Sequence, residues 1–427
     1  MNKMNINNVA IFGGNGTIGS AMCGLISGFG NAKVYLIARD KKKLDEKLLN
    51  RIFSSIKSDS IKDRIILCDY NDALNILKEC DWIFESVSEN FEIKKSVYEI
   101  IDKNAKSDAI ISTGTSGLSI NKLAEVFSEN KRKYFLGTHF FNPPYHMNLC
   151  ELIKTNYTDK KMLDEFKEYL ENVLLRKTII SKDNPAFIAN RIGFKVMNEL
   201  LLLVHKYSEY GGINYIDSIF TGFTGRNMEP LKTIDFVGLD IHKAIVDNIN
   251  NNTIDEFNDL FNTPEWFDKL ISDGKIGAKV GEGLYKGRLV YDVNSQKYID
   301  RQEFIFPALE QTKELIKDGK YVQAYNILLN GNTREQKIIS EILTKYVVYS
   351  IYISSITAKN IEDCDDAMAT GFGWCPPFAL KNLMDEAYGF EKLCDKYIDK
   401  NILKKYNIKE LINIKSKYDY KKYIKAL

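Results

Sequence analysis

The sequence predicts an α/β domain built on a largely parallel sheet, followed by two mainly α-helical domains. Three observations carry that expectation. Short apolar runs alternate with helical segments through the first part of the chain, the pattern of strands linked by crossover helices. After Pro185 the apolar residues recur instead at three- and four-residue steps. The helical half also contains two stretches that resemble each other, which makes two related domains the economical reading.

The elements run in order along the chain. Val9 to Phe12 reads as a short buried strand, Gly13-Gly14-Asn15-Gly16-Thr17-Ile18-Gly19 as a loop, and Ser20 to Ile26 as a helix. Val34 to Ile37 closes this strand–helix–strand unit. Further strands are expected at Ile65 to Leu67, Trp82 to Phe84, Ala109 to Ile111 and Tyr134 to Leu136, with helices such as Phe91 to Asp102 between most of them. Such alternation implies a doubly wound sheet. From Asn190 onward, Ile192, Val196, Leu200, Leu203 and Tyr207 mark a long helix, and strand signals vanish apart from Gly283 to Tyr291. "YIDSIFTGFTGRNMEPLKTIDFVG" (Tyr215 to Gly238) resembles "CDDAMATGFGWCPPFALKNLMDEAYG" (Cys364 to Gly389), and each comes after a long helix, the second over Lys337 to Thr357. The expected domains are residues 1–186, 187–297 and 333–427, with the stretch around Asp300 to Asn332 as a connection.

Charge and cysteine usage narrow the function classes. The 59 lysines and arginines nearly cancel the 57 aspartates and glutamates, so no electrostatic case for nucleic acid arises. Seven scattered cysteines, an odd number with no CxxC pair, point to reduced thiols rather than a disulfide framework. The apolar run at Val9 stops at a glycine loop and so does not read as a secretion signal, and Leu200 to Val204 is far too short to span a bilayer. The expectation is a soluble, cytoplasmic protein with no membrane partner.

A GxGxxG match alone is weak, but this one comes directly after a strand and opens a helix inside a strand–helix–strand unit. That is the context of a Rossmann-type dinucleotide site. Gly14 permits the tight turn, Gly16 lets the backbone approach a pyrophosphate, and Gly19 allows close helix packing. The helix opening at Thr17 and Ile18 offers free N–H groups to the anion. The bland alternative is a glycine-rich turn without a ligand. The second strand ends in Ala38-Arg39-Asp40, where NAD sites normally place an acid against the ribose 2′-hydroxyl. A small residue and then arginine suits a 2′-phosphate, while Asp40 stands two positions later, so both NAD and NADP remain open.

The loop, "ESVSENFEIK" (Glu85 to Lys94), "TGTSGLSI" (Thr113 to Ile120), "GTHFFNPPYHMNLCELI" and "DNPAFIANRIG" occur in the order of the L-3-hydroxyacyl-CoA dehydrogenase family. The resemblance continues through "DGKIGAKVGEGLY" (Asp273 to Tyr285) and both helical repeats, as in the dehydrogenase part of multifunctional fatty-acid oxidation enzymes. On its own, a histidine between apolar neighbours fits packing, metal binding or base catalysis. The resemblance implies that His139 is the catalytic base and Glu151 the acid paired with it. Ser116 and Asn190 match residues that contact the reacting oxygen, and Glu89 and Lys94 match positions on the nicotinamide side of the cleft. No metal is implied, since His146 and Cys150 lack a ligand set at familiar spacing, and His146 reads as a solvated loop residue.

The chemistry suits these residue types. Oxidising a secondary alcohol needs a base for the hydroxyl proton, and an imidazole serves in both directions. The resemblance thus implies an NAD(P)-dependent enzyme of fatty-acid metabolism interconverting L-3-hydroxyacyl-CoA and 3-oxoacyl-CoA, with an acyl-CoA thioester as substrate. It also implies dimerisation through the helical domains, although a fused repeat could itself fill the partner's place. Departures occur at Gly114, where the family has asparagine, at Ala186, where glycine is common, and at Asn227-Met228-Glu229-Pro230-Leu231 in the first repeat. The stretch from Asp40 to Trp82, which touches CoA in relatives, is short, so a non-CoA 3-hydroxyacyl carrier stays open. The competing class is a catalytically lapsed cofactor-binding protein, against which stands the joint retention of His139, Glu151, Ser116 and Asn190.

Overall fold

The computed structural model describes residues 4–253 and 256–426. The chain divides into two compact units, Met1–Phe187 and Ile188–Leu427.

The first unit is an eight-stranded sheet: β1 Asn8–Phe12, β2 Lys33–Ile37, β3 Ile65–Cys68, β4 Trp82–Glu85, β5 Ile110–Thr113, β6 Phe135–Phe140, β7 Leu149–Lys154 and β8 Lys177–Ser181. Their order is β3-β2-β1-β4-β5-β6-β7-β8. All pairings are parallel except β6 with β7. The six strands expected from the sequence are present. Strands β7 and β8 add to them; their signal is weak because a glutamate sits in the middle of one and a lysine opens the other.

Alternate side chains leave the sheet on opposite faces. Val9, Ile11, Val34, Leu36, Trp82 and Phe84 enter one core, while Ala10, Phe12, Tyr35, Ile37 and Ile83 enter the other. Burial of each large apolar side chain contributes about 1.5–3 kcal/mol. A one-residue register slip would exchange the two sets.

The helices of this unit are α1 Thr17–Gly28, α2 Glu46–Ile56, α3 Tyr70–Ile76, α4 Phe91–Asn104, α5 Ile120–Ala124, α6 Glu129–Arg132 and α7 Lys160–Asn172. The chain steps outward from β1 to β3 and then returns to place β4 on the other side of β1. That reversal opens a crevice at the strands' C-terminal ends, where open α/β sheets bind ligands. Both the glycine loop after β1 and Glu85 at the end of β4 lie there.

The second unit is mainly helical. It begins with α8 Ala189–Lys206, α9 Gly212–Ile219 and α10 Pro230–Val237, and its longest helix is Arg334–Thr357. A three-stranded antiparallel sheet, β9 Tyr285–Lys286, β10 Leu289–Asp292 and β11 Lys297–Asp300, occupies the stretch where the sequence keeps a strand signal. The expected connection around 300–332 carries helices Pro307–Lys317 and Tyr321–Asn330.

The two similar stretches repeat one capping device. The Asp217 carboxylate accepts from Leu231 N (2.8 Å) and Lys232 N (2.9 Å) at the start of α10. Asp365 accepts from Phe378 N (2.7 Å) at the start of helix Pro377–Ala387. In each case proline occupies the first helical turn, where its missing N–H costs nothing. Among the described residues, no helix is long and apolar enough to cross a membrane.

Candidate active site

The twelve-residue spacing from His139 to Glu151 is explained by strand pairing. His139 is on β6 and Glu151 on β7, and the antiparallel register sets them directly opposite each other. The Glu151 carboxylate accepts a hydrogen bond from His139 Nδ1 at 2.7 Å. Glu151 is fully buried and His139 is 3% exposed. Because a carboxylate can only accept, Nδ1 is the donor in this contact, and in the neutral imidazole that leaves the lone pair on Nε2. The imidazole is walled by the rings of Phe141 (4.6 Å) and Phe187 (5.4 Å), which fix its plane.

On the opposite side of the ring, Ser116 Oγ lies 3.0 Å from Nε2. Ser116 sits on a turn after β5, and that turn is held by one carboxylate. Glu89 Oε1 accepts from Ser116 N (2.9 Å), Gly117 N (2.9 Å) and the Thr115 hydroxyl. The other oxygen of Glu89 is 3.5 Å from Lys94 Nζ. Lys94 is 1% exposed and makes a 2.8 Å ion pair with Glu85, itself fully buried. Glu85, Tyr98 and Thr113 complete this cluster and lie outside the set that the sequence singles out. A carboxylate at the end of an apolar run reads as a strand leaving the core, and only the spacing Glu85–Glu89–Lys94 hints otherwise.

The glycine loop takes the expected place between β1 and α1. A Cβ on Gly19 would collide with the Gly13 carbonyl, and one on Gly14 with the Leu36 side chain. Gly16 is the N-cap of α1 and supplies no side-chain cap, whereas α2, α3, α4, α5 and α7 are each capped by an Asp, Asn or Ser side chain. The first turn of α1, Thr17-Ile18-Gly19, therefore has no side-chain cap on its N–H groups, the condition under which a helix start can receive an anion.

At the end of β2, Ala38 is buried and Arg39 and Asp40 are exposed. Asp40 Oδ1 accepts from Lys42 N at 3.0 Å, so its carboxylate caps the next turn. Burial raises the pKa of the Tyr70 phenol and the Arg39 charge opposes that shift; the Tyr70 ring stands edge-on to Phe12 at 5.5 Å.

Asn190 belongs to the second unit, in the first turn of α8, and is 7% exposed. His146 is exposed on the segment joining β6 to β7. A cavity of about 840 Å³ in the second unit, lined among others by Asp217, Lys232, Tyr285 and Arg301, contains none of the predicted site residues.

Residues 8–184 match the model of the 3-hydroxyacyl-CoA dehydrogenase NAD binding domain, and residues 187–287 match that family's C-terminal domain. A probable 3-hydroxyacyl-CoA dehydrogenase of Bacillus subtilis is 33% identical over 324 residues, 74% of this chain and 40% of that protein. A putative fatty acid oxidation complex trifunctional enzyme of Rickettsia prowazekii is 28% identical over 385 residues, 86% of this chain and 52% of that protein. The chain thus spans about half the length of these relatives. Among solved structures, (S)-3-hydroxybutyryl-CoA dehydrogenase from Ralstonia eutropha is 26% identical with a TM-score of 0.58, covering 66% of this chain and 99% of that one. The 3-hydroxybutyryl-CoA dehydrogenase of Escherichia coli shares the fold over 93% of this chain and 96% of its own, with a TM-score of 0.68 at 17% identity.

Proposed function

Because the chain belongs to the 3-hydroxyacyl-CoA dehydrogenase family, we propose that it is a nicotinamide-dependent oxidoreductase interconverting L-3-hydroxyacyl-CoA and 3-oxoacyl-CoA. The observation that carries this reading is the line Glu151–His139–Ser116, with contacts of 2.7 and 3.0 Å on the two sides of one imidazole. A substrate oxygen within reach of both Nε2 and the Ser116 hydroxyl would meet a base and a hydrogen-bond donor together.

In the oxidative direction His139 Nε2 takes the hydroxyl proton of the substrate. Glu151 holds the tautomer that makes Nε2 available and stabilises the imidazolium that results. Ser116 holds the oxygen as it changes from alcohol to carbonyl. In the reductive direction the imidazolium returns the proton. General base catalysis of this type contributes about 10²–10⁴ in rate.

The chain's residues suit a dinucleotide cofactor. The uncapped first turn of α1 would receive the pyrophosphate, and Gly14 and Gly19 keep the loop against the sheet. NAD, when bound, supplies the hydride acceptor or donor. Glu89 and Lys94 would border the nicotinamide. With Ala38 in place of an acid and Asp40 engaged as a cap, NADP would be accepted alongside NAD.

The test is loss of NADH and of NADPH absorbance with acetoacetyl-CoA, for the wild-type chain and for His139→Gln. Oxidation by the wild type that is at least about a hundredfold slower in the variant supports the reading. Equal rates, or none in either chain, would overturn it.

A further inference from the structure

We propose that Glu85 is a positioning residue for this reaction: its buried carboxylate fixes Lys94, and through Lys94 and Glu89 it holds the 115–117 turn that presents Ser116 to His139. The proposal rests on the reading of His139 as base and adds a residue outside the predicted set.

Glu85 ends β4 and is fully buried. Its two oxygens meet four donors. Oε1 accepts from Val87 N (2.6 Å) and Lys94 Nζ (2.8 Å), and Oε2 from Tyr98 OH (2.6 Å) and Thr113 Oγ1 (2.8 Å). An acceptor-only group with two oxygens satisfies such a set, and among ordinary side chains only a carboxylate provides it at this length. Burial first, and the Glu85 charge second, push the Tyr98 phenol well above its ordinary range, so it stays protonated and remains a donor. The cluster is thereby locked in one hydrogen-bonding pattern.

That lock reaches the turn through Glu89. Glu89 holds the backbone of Ser116 and Gly117, yet its side chain is 45% exposed and could swing into water. The 3.5 Å contact of its second oxygen with Lys94 opposes that swing. Lys94 can serve only if its own ammonium stays put at 1% exposure, and a buried ammonium requires a fixed counter-charge. Glu85 is that counter-charge. Thr113 ties the two ends together, since its hydroxyl donates to Glu85 and accepts from Thr115 N at 3.3 Å within the same turn. Glu85 touches no reacting atom in this arrangement and acts by keeping the Ser116 hydroxyl within 3.0 Å of Nε2.

The experiment compares Glu85→Gln, Ser116→Ala, the two combined, and His139→Gln. Turnover, melting temperature and amide hydrogen exchange at Ser116 and Gly117 are read for each. Glu85→Gln places an amide against donors. The expected results are a kcat roughly tenfold lower, the size of one lost charged hydrogen bond, with little change in KM, and faster exchange at the two amides. Adding Ser116→Ala should then cost little more, because the serine has already lost its place.

Should Glu85→Gln fail to fold, Glu85→Met combined with Lys94→Met leaves no lone buried charge and carries the same readouts. Additive losses, or unchanged exchange at the turn, would overturn the proposal and leave Glu85 as packing. If His139→Gln keeps near-normal turnover, the base reading falls on its own account. If His139→Gln is inactive and Glu85→Gln is not impaired, only the positioning role falls.

Discussion

Two buried charge arrays, one in each unit, are built from the same residue types and do different work. In the first, Glu85 and Lys94 sit at the C-terminal edge of the sheet, and the array's carboxylates also take up loop backbone: Val87, Ser116 and Gly117 all donate N–H groups. In the second, Lys195 and Glu199 pair at 2.6 Å within α8, and Glu199 reaches Lys345 of helix Arg334–Thr357 at 3.0 Å. The Lys195 ammonium lies over the rings of Phe257 (5.7 Å) and Tyr349 (5.2 Å). Burial lowers the Lys195 pKa and Glu199 partly restores it. For Glu199, burial raises the pKa but the two lysines outweigh that effect. Charges tied to loop backbone fix a turn and whatever it presents. Charges tied to side chains on facing helices fix the register between those helices. The contrast predicts where damage appears: in turnover for the first array, in stability for the second.

The largest effect that would sharpen this contrast is at the end of the first array. His139→Gln should fold with an unchanged melting temperature and lose at least about a hundredfold in kcat. Glu151→Gln should be comparably severe. Combined with His139→Gln it should add little, because the pair works as one unit, as steady-state kinetics of the double variant will tell. Additive losses would move Glu151 into the structural class and blur the comparison.

Next in size, Lys195→Met should lower unfolding stability by roughly 2 kcal/mol. That lies below the usual cost of breaking a buried pair because Lys345 still faces Glu199. Denaturant titration should show the loss and recover most of it when Glu199→Met is added, with kcat of the folded protein unaltered throughout. A fall in kcat would mean that the second array also serves the chemistry.

A smaller effect is expected at the open rim of the crevice. Ala38→Asp should raise the NAD-to-NADP ratio of kcat/KM by roughly tenfold, since one charge-assisted contact is worth about 1.5–3 kcal/mol. An unchanged ratio would place the ribose away from residue 38. Smallest of all, His146→Ala should leave turnover within about threefold, because an exposed histidine on a connecting segment lies outside either array.

Most of the first unit is legible in the sequence because its strands are apolar on both faces and its turn glycines are spaced for one purpose. Legibility fails where charge enters the core. Glu151 interrupts the apolar run of β7, which hides the strand even though the glutamate itself stands out. Glu85 looks like the polar end of a strand until the structure sets four donors around it.

The internal similarity of the second half can be seen by eye, but its alignment slips by one residue. Asp217 stands four residues before Thr221, whereas Asp365 stands five before Thr370. A π-helical turn at Met368–Phe372, which takes an additional residue per turn, carries that offset in the second copy, and each aspartate still accepts from the start of the next helix. Such an insertion leaves no compositional trace.

The cross-strand pairing of His139 with Glu151 has a consequence for how the site could be cut and rejoined. Since the partners meet through backbone register, a nick or an inserted tag at the exposed His146 should leave that register in place, provided Phe141 stays against the imidazole. The two fragments would reassemble along the seam between β6 and β7 with the acid opposite its histidine. A frameshift of a single residue along that seam would do the reverse: it would leave the chain length intact and carry the carboxylate to the far face of the sheet.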